Sequence, residues 1–309
     1  MRTTLHLAAA AALAGLVVLA CREGVAPASD QAQALAAEQE QLGAMVDTDF
    51  GAIGATPTAS LDAPSSSAAS FSLNGAEADT APSFWGRLRG VPGGPRPVYH
   101  RDVTIANDTA TVEHDVTFAG VLLVDTSADG TFNPSSKPLA DRMTQRAVLV
   151  RDRAMARGWR VVKLSPQDWT VVDASRQTVG VTDVKVYRND TLLVDVTDPS
   201  TLYDVGARIP RFHLGDTVKV VAAVANTTNS GFAPATFVFL HVRHIDPLGT
   251  SWHRVKMEDN GDGTWQRRWI ARSTGIDRFV VDAVDAATLL LSTPDNYRAH
   301  EVGIPCRIE

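Results

Sequence analysis

The stretch VTIANDTATVEHDVTF, residues 103–118, decides how the middle of this chain folds. Its apolar residues occupy alternate positions on both sides of residues 106–109, where Asn and Asp favour a tight turn. Alternation with a period of two places one set of side chains on one face of a strand. The stretch therefore predicts a β-hairpin with Val112, Val116 and Phe118 on its apolar face.

The chain on both sides of this hairpin adds further elements. Residues 146–164 predict a second hairpin, which turns at Gly158. Upstream, Asp30 to Val46 carries apolar residues at helical spacing. Residues 51–82 are rich in Ala, Ser and Thr, which indicates a low-complexity insertion. A helix followed by a curled sheet predicts a small α+β domain over residues 30–172.

The C-terminal part repeats short β-branched runs that are separated by turn residues about every ten positions. This spacing is typical of an antiparallel β-sandwich of about seven strands. The polar segment 173–176 suits a domain boundary, so the sandwich is expected over residues 177–309. The candidate strands are 181–187, 192–196, 217–225, 236–244, 252–257, 264–271, 279–284 and 301–306.

The N-terminus has the pattern of an export signal. Arg2 precedes an apolar run from Leu7 to Ala20, which is shorter than the roughly 20 residues that span a bilayer as a helix. The run ends in Ala20, a small residue just before Cys21, as a cleavage site requires. Residues 1–20 are therefore expected to be a signal peptide and residues 21–29 a flexible tether.

The segment Val18-Leu19-Ala20-Cys21 resembles the lipobox of bacterial lipoproteins. The resemblance implies cleavage before Cys21 and attachment of acyl chains to it, so that a lipid anchor binds the mature chain to a membrane. Arg22 stands where some lipoproteins of the inner membrane carry Asp. This difference favours the outer membrane of the bacterial cell envelope, at its periplasmic or surface face. A secretory signal with an incidental cysteine and an uncleaved anchor helix are the alternatives.

Two looser resemblances concern the globular part. Residues 84–87, 103–118, 137–139 and 158–162 resemble the cystatin-like or nuclear-transport-factor-like region of bacterial lipoproteins. Residues 214–218 and 257–265 resemble extracellular immunoglobulin-like modules. The implied fold class is mainly β, with a small α+β cone-like domain followed by an immunoglobulin-like antiparallel β-sandwich.

Charge and cysteine content exclude some classes of protein. The chain has 29 Lys and Arg against 35 Asp and Glu, a formal net charge of −6. Mild acidity of this kind argues against a nucleic-acid partner. Cys21 and Cys306 are the only cysteines, so acylation of the first leaves no disulfide framework.

An acidic loop is the candidate metal site. Glu258, Asn260 and Asp262, followed by Gly263, begin the alternation of oxygen ligands that a calcium loop uses. The same residue types form hairpin turns, and Trp269 stands where an EF-hand would need a glutamate. The loop is therefore predicted to be a turn, with a weak calcium site as the alternative. No cofactor is expected.

His114 is the candidate pocket residue. Alternation places it on the face of Val112, Val116 and Phe118, which lines a pocket in the cone-shaped domains that the resemblance implies. A histidine there could act as a general base or orient a ligand, because it titrates near neutral pH. A structural histidine on an apolar face is the alternative interpretation.

Trp265 and Trp269 share one face of a predicted strand. They suit either a platform on which sugars stack or the aromatic core of a sandwich. Six arginines lie between residues 142 and 160, and Asp141 and Asp152 interrupt the run. We interpret them as a solvated face, with binding of an anionic partner, such as lipid headgroups or surface polysaccharide, as the alternative.

The functional prediction follows from the export signal and from the absence of familiar catalytic motifs in the sequence. We expect a lipid-anchored envelope protein that acts as a non-catalytic binding or scaffolding module. One alternative is an enzyme or small-ligand-binding protein that uses a pocket around His114. Another is adhesion to a glycan or to another envelope protein through the sandwich.

Overall fold

The computed structural model describes residues 28–49, 84–90, 95–125, 127, 133–246, 249–272, 274–294 and 296–309. The predicted signal peptide, Cys21, and the low-complexity insertion at 51–82 lie outside these ranges. So does most of the predicted tether, whose last residues, Ala28 and Ser29, begin a helix. The chain divides into two compact units, Met1–Leu42 and Gly43–Glu309. Within the described ranges, no helix is long and apolar enough to cross a membrane.

The described elements are mostly strands, so the predicted mainly β fold class is confirmed. Helix α1 contains the predicted helix, and each candidate strand of residues 177–309 matches an observed strand to within a few residues. The elements are α1 (Ala28–Asp49), β1 (Phe84–Arg89), β2 (Val98–Ala106), β3 (Thr109–Asp125), β4 (Ser135–Arg151), β5 (Trp159–Leu164), β6 (Gln167–Val171), β7 (Val179–Arg188), β8 (Thr191–Val196), β9 (Tyr203–Asp204), β10 (Arg211–Phe212), β11 (Thr217–Asn226), β12 (Thr236–Asp246), β13 (Gly249–Lys256), β14 (Glu258–Asp259), β15 (Thr264–Ile270), β16 (Gly275–Asp285), α2 (Ala286–Leu290) and β17 (Ala299–Ile308).

The larger sheet has the strand order β1-β3-β4-β6-β17-β16-β12-β13. Strand β2 pairs with β3 in the predicted hairpin, where Ala106 lies opposite Thr109 and Asn107 takes the left-handed conformation with φ 55°. Strand β5 pairs with β4 and completes the second predicted hairpin. Two short strands extend the sheet, because β9 pairs with β5 and β10 pairs in parallel with β17.

The smaller sheet has the order β14-β15-β11-β7-β8, and all its pairings are antiparallel. Its apolar face packs against β12, β16 and β17 of the larger sheet. Every second residue of β11 from Val218 to Ala222 is buried there, as the alternating pattern predicts. The two sheets thus form a β-sandwich.

The larger sheet continues across the predicted domain boundary. Residues 174–176 form one turn of 3-10 helix, whose amide at Ser175 is capped by the side chain of Asp173. Just before this turn, β6 pairs with both β4 and β17. Strands from residues 30–172 and from residues 177–309 therefore belong to one hydrogen-bonded sheet within the unit Gly43–Glu309.

The larger sheet is curled, and its other face encloses a second interior, separate from the sandwich core. Strand β1 pairs with β3, yet its side chains reach β16 and β12 on the far side of that sheet. The approach of β1 to β3 is close at Gly120, where an added Cβ would lie 2.0 Å from the carbonyl oxygen of Leu88. Only glycine fits at that position.

Candidate functional site

Five charged residues meet inside the curl, and we call them the interior ion cluster. Arg87 and Arg89 are two residues apart in β1, so both side chains point inward. They meet Asp141 of β4, Asp282 of β16 and Glu301 of β17. The exposed fraction of these side chains is 10% or less. The cluster is therefore enclosed by protein.

Asp282 is held by two cationic or potentially cationic groups. The guanidinium of Arg87 donates to both its carboxylate oxygens, at 2.6 and 3.0 Å. Nε2 of His241 lies 3.0 Å from Oδ2 of the same carboxylate. Burial favours the neutral acid, but the charge of Arg87 and the hydrogen bonds of His241 and Arg87 outweigh it and hold the pKa of Asp282 below its usual range. Asp282 is thus an anion in the folded protein.

The remaining members form a second set of bonds. Arg89 donates from Nε to Oδ2 of Asp141 at 2.7 Å and from Nη2 to Oε1 of Glu301. The hydroxyl of Tyr297 donates to Oδ2 of Asp141 at 3.0 Å and accepts a bond from Nε of Arg87 at 2.9 Å. Burial raises the pKa of Asp141 and that of Tyr297. Tyr297 therefore stays a phenol and connects the two arginines.

Aromatic rings enclose the arginines on their open faces. The guanidinium of Arg89 lies 4.5 Å from the ring centroid of Trp169, and that of Arg87 lies 5.2 Å from the ring of Trp85. Groups that are buried, paired and covered in this way do not contact solvent-borne substrates. The interior ion cluster is therefore a structural element and not a reaction centre.

A buried lysine occupies the apolar end of the same interior. Lys137 is fully buried, and its Nζ donates to the carbonyl oxygen of Thr288 at 2.6 Å, to that of Leu291, and to Oδ1 of Asn296 at 2.8 Å. These acceptors lie at and beyond the C-terminal end of α2, where helix carbonyls lack partners. Burial lowers the pKa of Lys137 to about 8. Its role is to anchor α2 against β4.

His114 lies where the alternation in β3 predicted. It is 4% exposed and shares its face with buried Val112, Val116 and Phe118. Its ring stacks on that of Tyr99 in the neighbouring strand, with the two planes 8° apart and the centroids 6.2 Å apart. His114 lines a cavity of about 370 Å³, which we call the His114 cavity.

The walls of the His114 cavity are polar. Apart from Pro199, every residue that lines it has a polar or charged side chain. A small ligand without polar groups would offer these side chains no hydrogen bonds. Polar ligands fit the cavity better.

Several wall residues are held by bonds to one another. Nε of Arg142 donates to the carboxylate of Asp115 at 2.9 Å, and Nε of Arg146 lies 3.0 Å from Glu113. Nε2 of His300 lies 2.7 Å from Oδ1 of Asp168. The walls are therefore built before any ligand arrives.

The acidic loop forms the predicted turn between β14 and β15. Oδ1 of Asp262 accepts from the amide and hydroxyl of Thr264 at 3.0 and 2.6 Å, and Asn260 donates to the same hydroxyl. Glu258 lies 3.6 Å from Arg267. In the described part of the chain, no group of three or more His, Cys, Asp or Glu residues could hold a metal ion. Of the weak calcium candidates, Asp262 therefore stabilises the turn through its carboxylate, Asn260 through its amide nitrogen, and Glu258 faces an arginine.

The tryptophans and arginines also have defined places. Trp265 and Trp269 pack against the sandwich core, and Trp269 contacts Phe212 and Phe279. This packing supports the core interpretation over the sugar-stacking platform. Four arginines of residues 142–160 form partly exposed ion pairs; the pairs are Arg142–Asp115, Arg146–Glu113, Arg151–Asp108 and Arg160–Asp152. The first two of these pairs line the His114 cavity. Asp141, which interrupts the same run of arginines, is buried in the interior ion cluster instead.

Sequence analysis did not identify the interior ion cluster or Lys137. One signal was present, because Arg87 and Arg89 share a face of a short strand that begins with Phe84 and Trp85. Another was Asp282, which interrupts an apolar run at residues 279–284. Charged residues in strands usually face solvent, which is why these signals were not used.

No family model, curated protein or solved structure matches this chain. The resemblances to bacterial lipoproteins, to cystatin-like domains and to immunoglobulin-like modules therefore stay predictions from the sequence.

Proposed function

We propose that this chain is a lipid-anchored protein of the bacterial cell envelope that works as a non-catalytic binding or scaffolding module. The apolar run Leu7–Ala20 and the lipobox-like segment ending at Cys21 support the anchor. The enclosed state of the interior ion cluster supports the non-catalytic role, because this dense group of ionisable side chains stabilises the fold instead of meeting a substrate.

The finer architecture belongs to the same proposal. The five-stranded sheet on β12, β16 and β17 supports an immunoglobulin-like sandwich. The curled sheet of β1 to β6 supports a cone-like, cystatin-like region. An outer-membrane location agrees with Arg22 after the acylated cysteine.

Mass spectrometry of the native chain from bacterial membranes tests the anchor. The expected N-terminal residue is Cys21 with a thioether-linked diacylglycerol, and Cys21→Ser should leave an unprocessed chain without the lipid. Cys306→Ser is the matched control, since Cys306 is buried in the sandwich core and should not affect processing. A native chain that still begins at Met1 with a free thiol at position 21 would rule out the anchor.

Binding of a small ligand in the His114 cavity is the second candidate. The observation that favours it is the cavity of about 370 Å³, within the range of about 300–1,000 Å³ that is usual for ligand sites. Adhesion through the sandwich has less support, because Trp265 and Trp269 pack inward. A ligand screen that follows the NMR signals of the His114 ring tests the cavity directly.

A further inference from the structure

The chemistry of the His114 cavity indicates the class of its ligand, and this inference rests on the proposed small-ligand function. The walls place hydrogen-bonding groups around most of the cavity, since Pro199 is the one lining residue without a polar side chain. A ligand must therefore replace the hydrogen bonds that these walls make with water. It needs polar groups over most of its surface.

The charges of the walls exclude anions. The cavity is lined by the carboxylates of Asp102, Glu113, Asp115, Asp168 and Asp198 and by the guanidinium groups of Arg142 and Arg146. Both guanidinium groups are already paired with wall carboxylates, Arg142 with Asp115 and Arg146 with Glu113. An anionic ligand would meet five carboxylates, two of which already hold both guanidinium groups.

The paired groups can still bind hydroxyls. A carboxylate has about four acceptor positions and a guanidinium has five donors, so one ion pair leaves several positions on each group unused. Both groups present two atoms side by side, which matches adjacent hydroxyls on a ring. A hydroxyl both donates and accepts, and can therefore bond to either member of a pair such as Arg142–Asp115.

Hydrogen bonds hold the buried part of the wall in place. Gln145 and Ser165 are buried, and Nε2 of Gln145 donates to the carbonyl oxygen of Ser165 at 3.1 Å. The hydroxyl of Ser165 accepts from the amide of Arg146 at 2.9 Å and donates to the carbonyl oxygen of Pro166 at 2.8 Å. His300 holds Asp168 in the same way from behind. Preorganised polar groups lose little freedom when a ligand binds.

From these observations we infer that the His114 cavity binds a polyhydroxylated ligand without negative charge, of the size of one or two sugar rings. The cavity volume of about 370 Å³ sets this size. Such compounds occur as neutral sugars and as amino sugars, and both share the hydroxyl pattern that the walls recognise. Of the wall residues, His114 and His100 provide the most convenient NMR probes.

The test is a titration of the full-length chain with matched probes, followed through the ring C–H signals of His114 and His100. N-acetylglucosamine and glucosamine carry the hydroxyls without and with a positive charge. Glucuronate carries them with a negative charge, and putrescine carries positive charge without hydroxyls. We expect saturable shifts with both amino sugars, and binding of glucuronate and putrescine that is about tenfold weaker or worse.

A substitution at the rim of the cavity tests the site by mutation. Ser200 is exposed at the cavity rim, and its amide and hydroxyl bond to Asp198 at 2.8 Å. Ser200→Trp should fill the entrance and weaken sugar binding by about tenfold. Ser175→Trp is the matched control, because Ser175 makes the same turn with Asp173 outside the cavity. It should leave binding unchanged.

The outcomes separate this inference from the function on which it rests. Putrescine or glucuronate binding as tightly as the sugars would keep the cavity as a ligand site but overturn the polyhydroxylated class. Sugar binding that Ser175→Trp weakens as much as Ser200→Trp would also overturn the inference, since the sugar would then bind elsewhere. Unchanged His114 and His100 signals with every probe would remove the small-ligand function itself.

Discussion

Replacing Arg87 by methionine should destabilise this protein far more than removing an arginine on the surface. The substitution keeps the apolar stem of the side chain but removes both bonds to Asp282, a carboxylate with no exposed surface. The bond from Nε to the hydroxyl of Tyr297 is lost as well. Removing one member of a buried ion pair costs about 3–5 kcal/mol, because the remaining charge stays buried without its counterion.

Thermal and urea denaturation measure this loss. For a unit of this size, each kcal/mol corresponds to about 2–4 °C, so Arg87→Met should lower Tm by roughly 10 °C. The matched control is Arg160→Met, which breaks the exposed pair with Asp152 and should cost at most about 1 kcal/mol. Equal effects of the two substitutions would contradict the structural role of the interior ion cluster.

A double substitution distinguishes the loss of the ion-pair attraction from the cost of leaving a buried carboxylate without its counterion. Asp282→Leu in the Arg87→Met background removes the carboxylate that the single change leaves without its main counterion. We expect the double variant to be more stable than Arg87→Met alone, because buried pairs replaced by apolar groups are often tolerated. Additive losses from the two changes would show that the pair is not the source of the effect.

Acid denaturation tests the contribution of Asp282 to stability independently. The pKa of Asp282 is lower in the folded chain than in the unfolded one, so its contribution to stability is present above about pH 4. This contribution is lost as the pH falls from about 4 toward the folded pKa. Asp141 acts in the opposite direction, because burial raises its pKa. Arg87→Met should weaken the acid dependence that Asp282 provides, measured as the slope of unfolding free energy below pH 4.

Three further outcomes are expected. Burial lowers the pKa of Lys137 to about 8, from about 10.4 in the unfolded chain. The free energy of unfolding should therefore rise between pH 8 and 10, by at most about 3 kcal/mol, and Lys137→Met should abolish this rise. Gly263 has a φ of 84°, so Gly263→Ala should lower the free energy of unfolding, measured in urea, by about 1 kcal/mol. Millimolar calcium should leave Tm unchanged, and a rise in Tm would favour the calcium alternative. Nδ1 of His300 accepts from the amide of Val181 at 2.7 Å, so nitrogen NMR at neutral pH should show the Nε2–H tautomer, and the Nδ1–H form would exclude that bond.

The strands were predictable because the information that specifies them is local. In β3 the alternation alone placed Val112, His114 and Val116 on one face, and all three are buried. The turn at Asn107 was equally local, since Asn tolerates the left-handed conformation found there. Period-two patterns between turn residues therefore gave the positions of the strands and the faces of their side chains.

Pairing between distant strands was not predictable by the same means. The hydrogen bonds of β6 with β17 join Asp168 to Val302 and Trp169 to Glu301, positions far apart in the chain. Alternation indicates which face of a strand is apolar, but it does not identify the neighbouring strand. The polar segment 173–176 looked like a linker for this reason, although the sheet continues on both sides of it.

The interior ion cluster was hidden because each member taken alone has the character of a surface residue. Arg87 becomes an interior residue only when Asp282 lies opposite to it, 195 positions later in the chain. A single sequence shows no link between two such positions. The His114 cavity was different, because the face of His114 was readable while the polar character of its walls depended on strand pairing.

The interior ion cluster also accounts for why the His114 cavity can keep its shape. A slip of β1 by one residue would turn Arg87 and Arg89 outward and leave three buried carboxylates without their counterions, so the charges specify the register of β1 against β3. Asp141 of the cluster and Gln145 of the cavity lie on one face of β4, separated on that face by buried Met143 alone. A strand fixed at Asp141 by Arg89 and Tyr297 therefore presents Gln145 at a fixed position. If the cavity binds sugar hydroxyls, loosening β1 should weaken that binding even though β1 provides none of the residues that line the cavity.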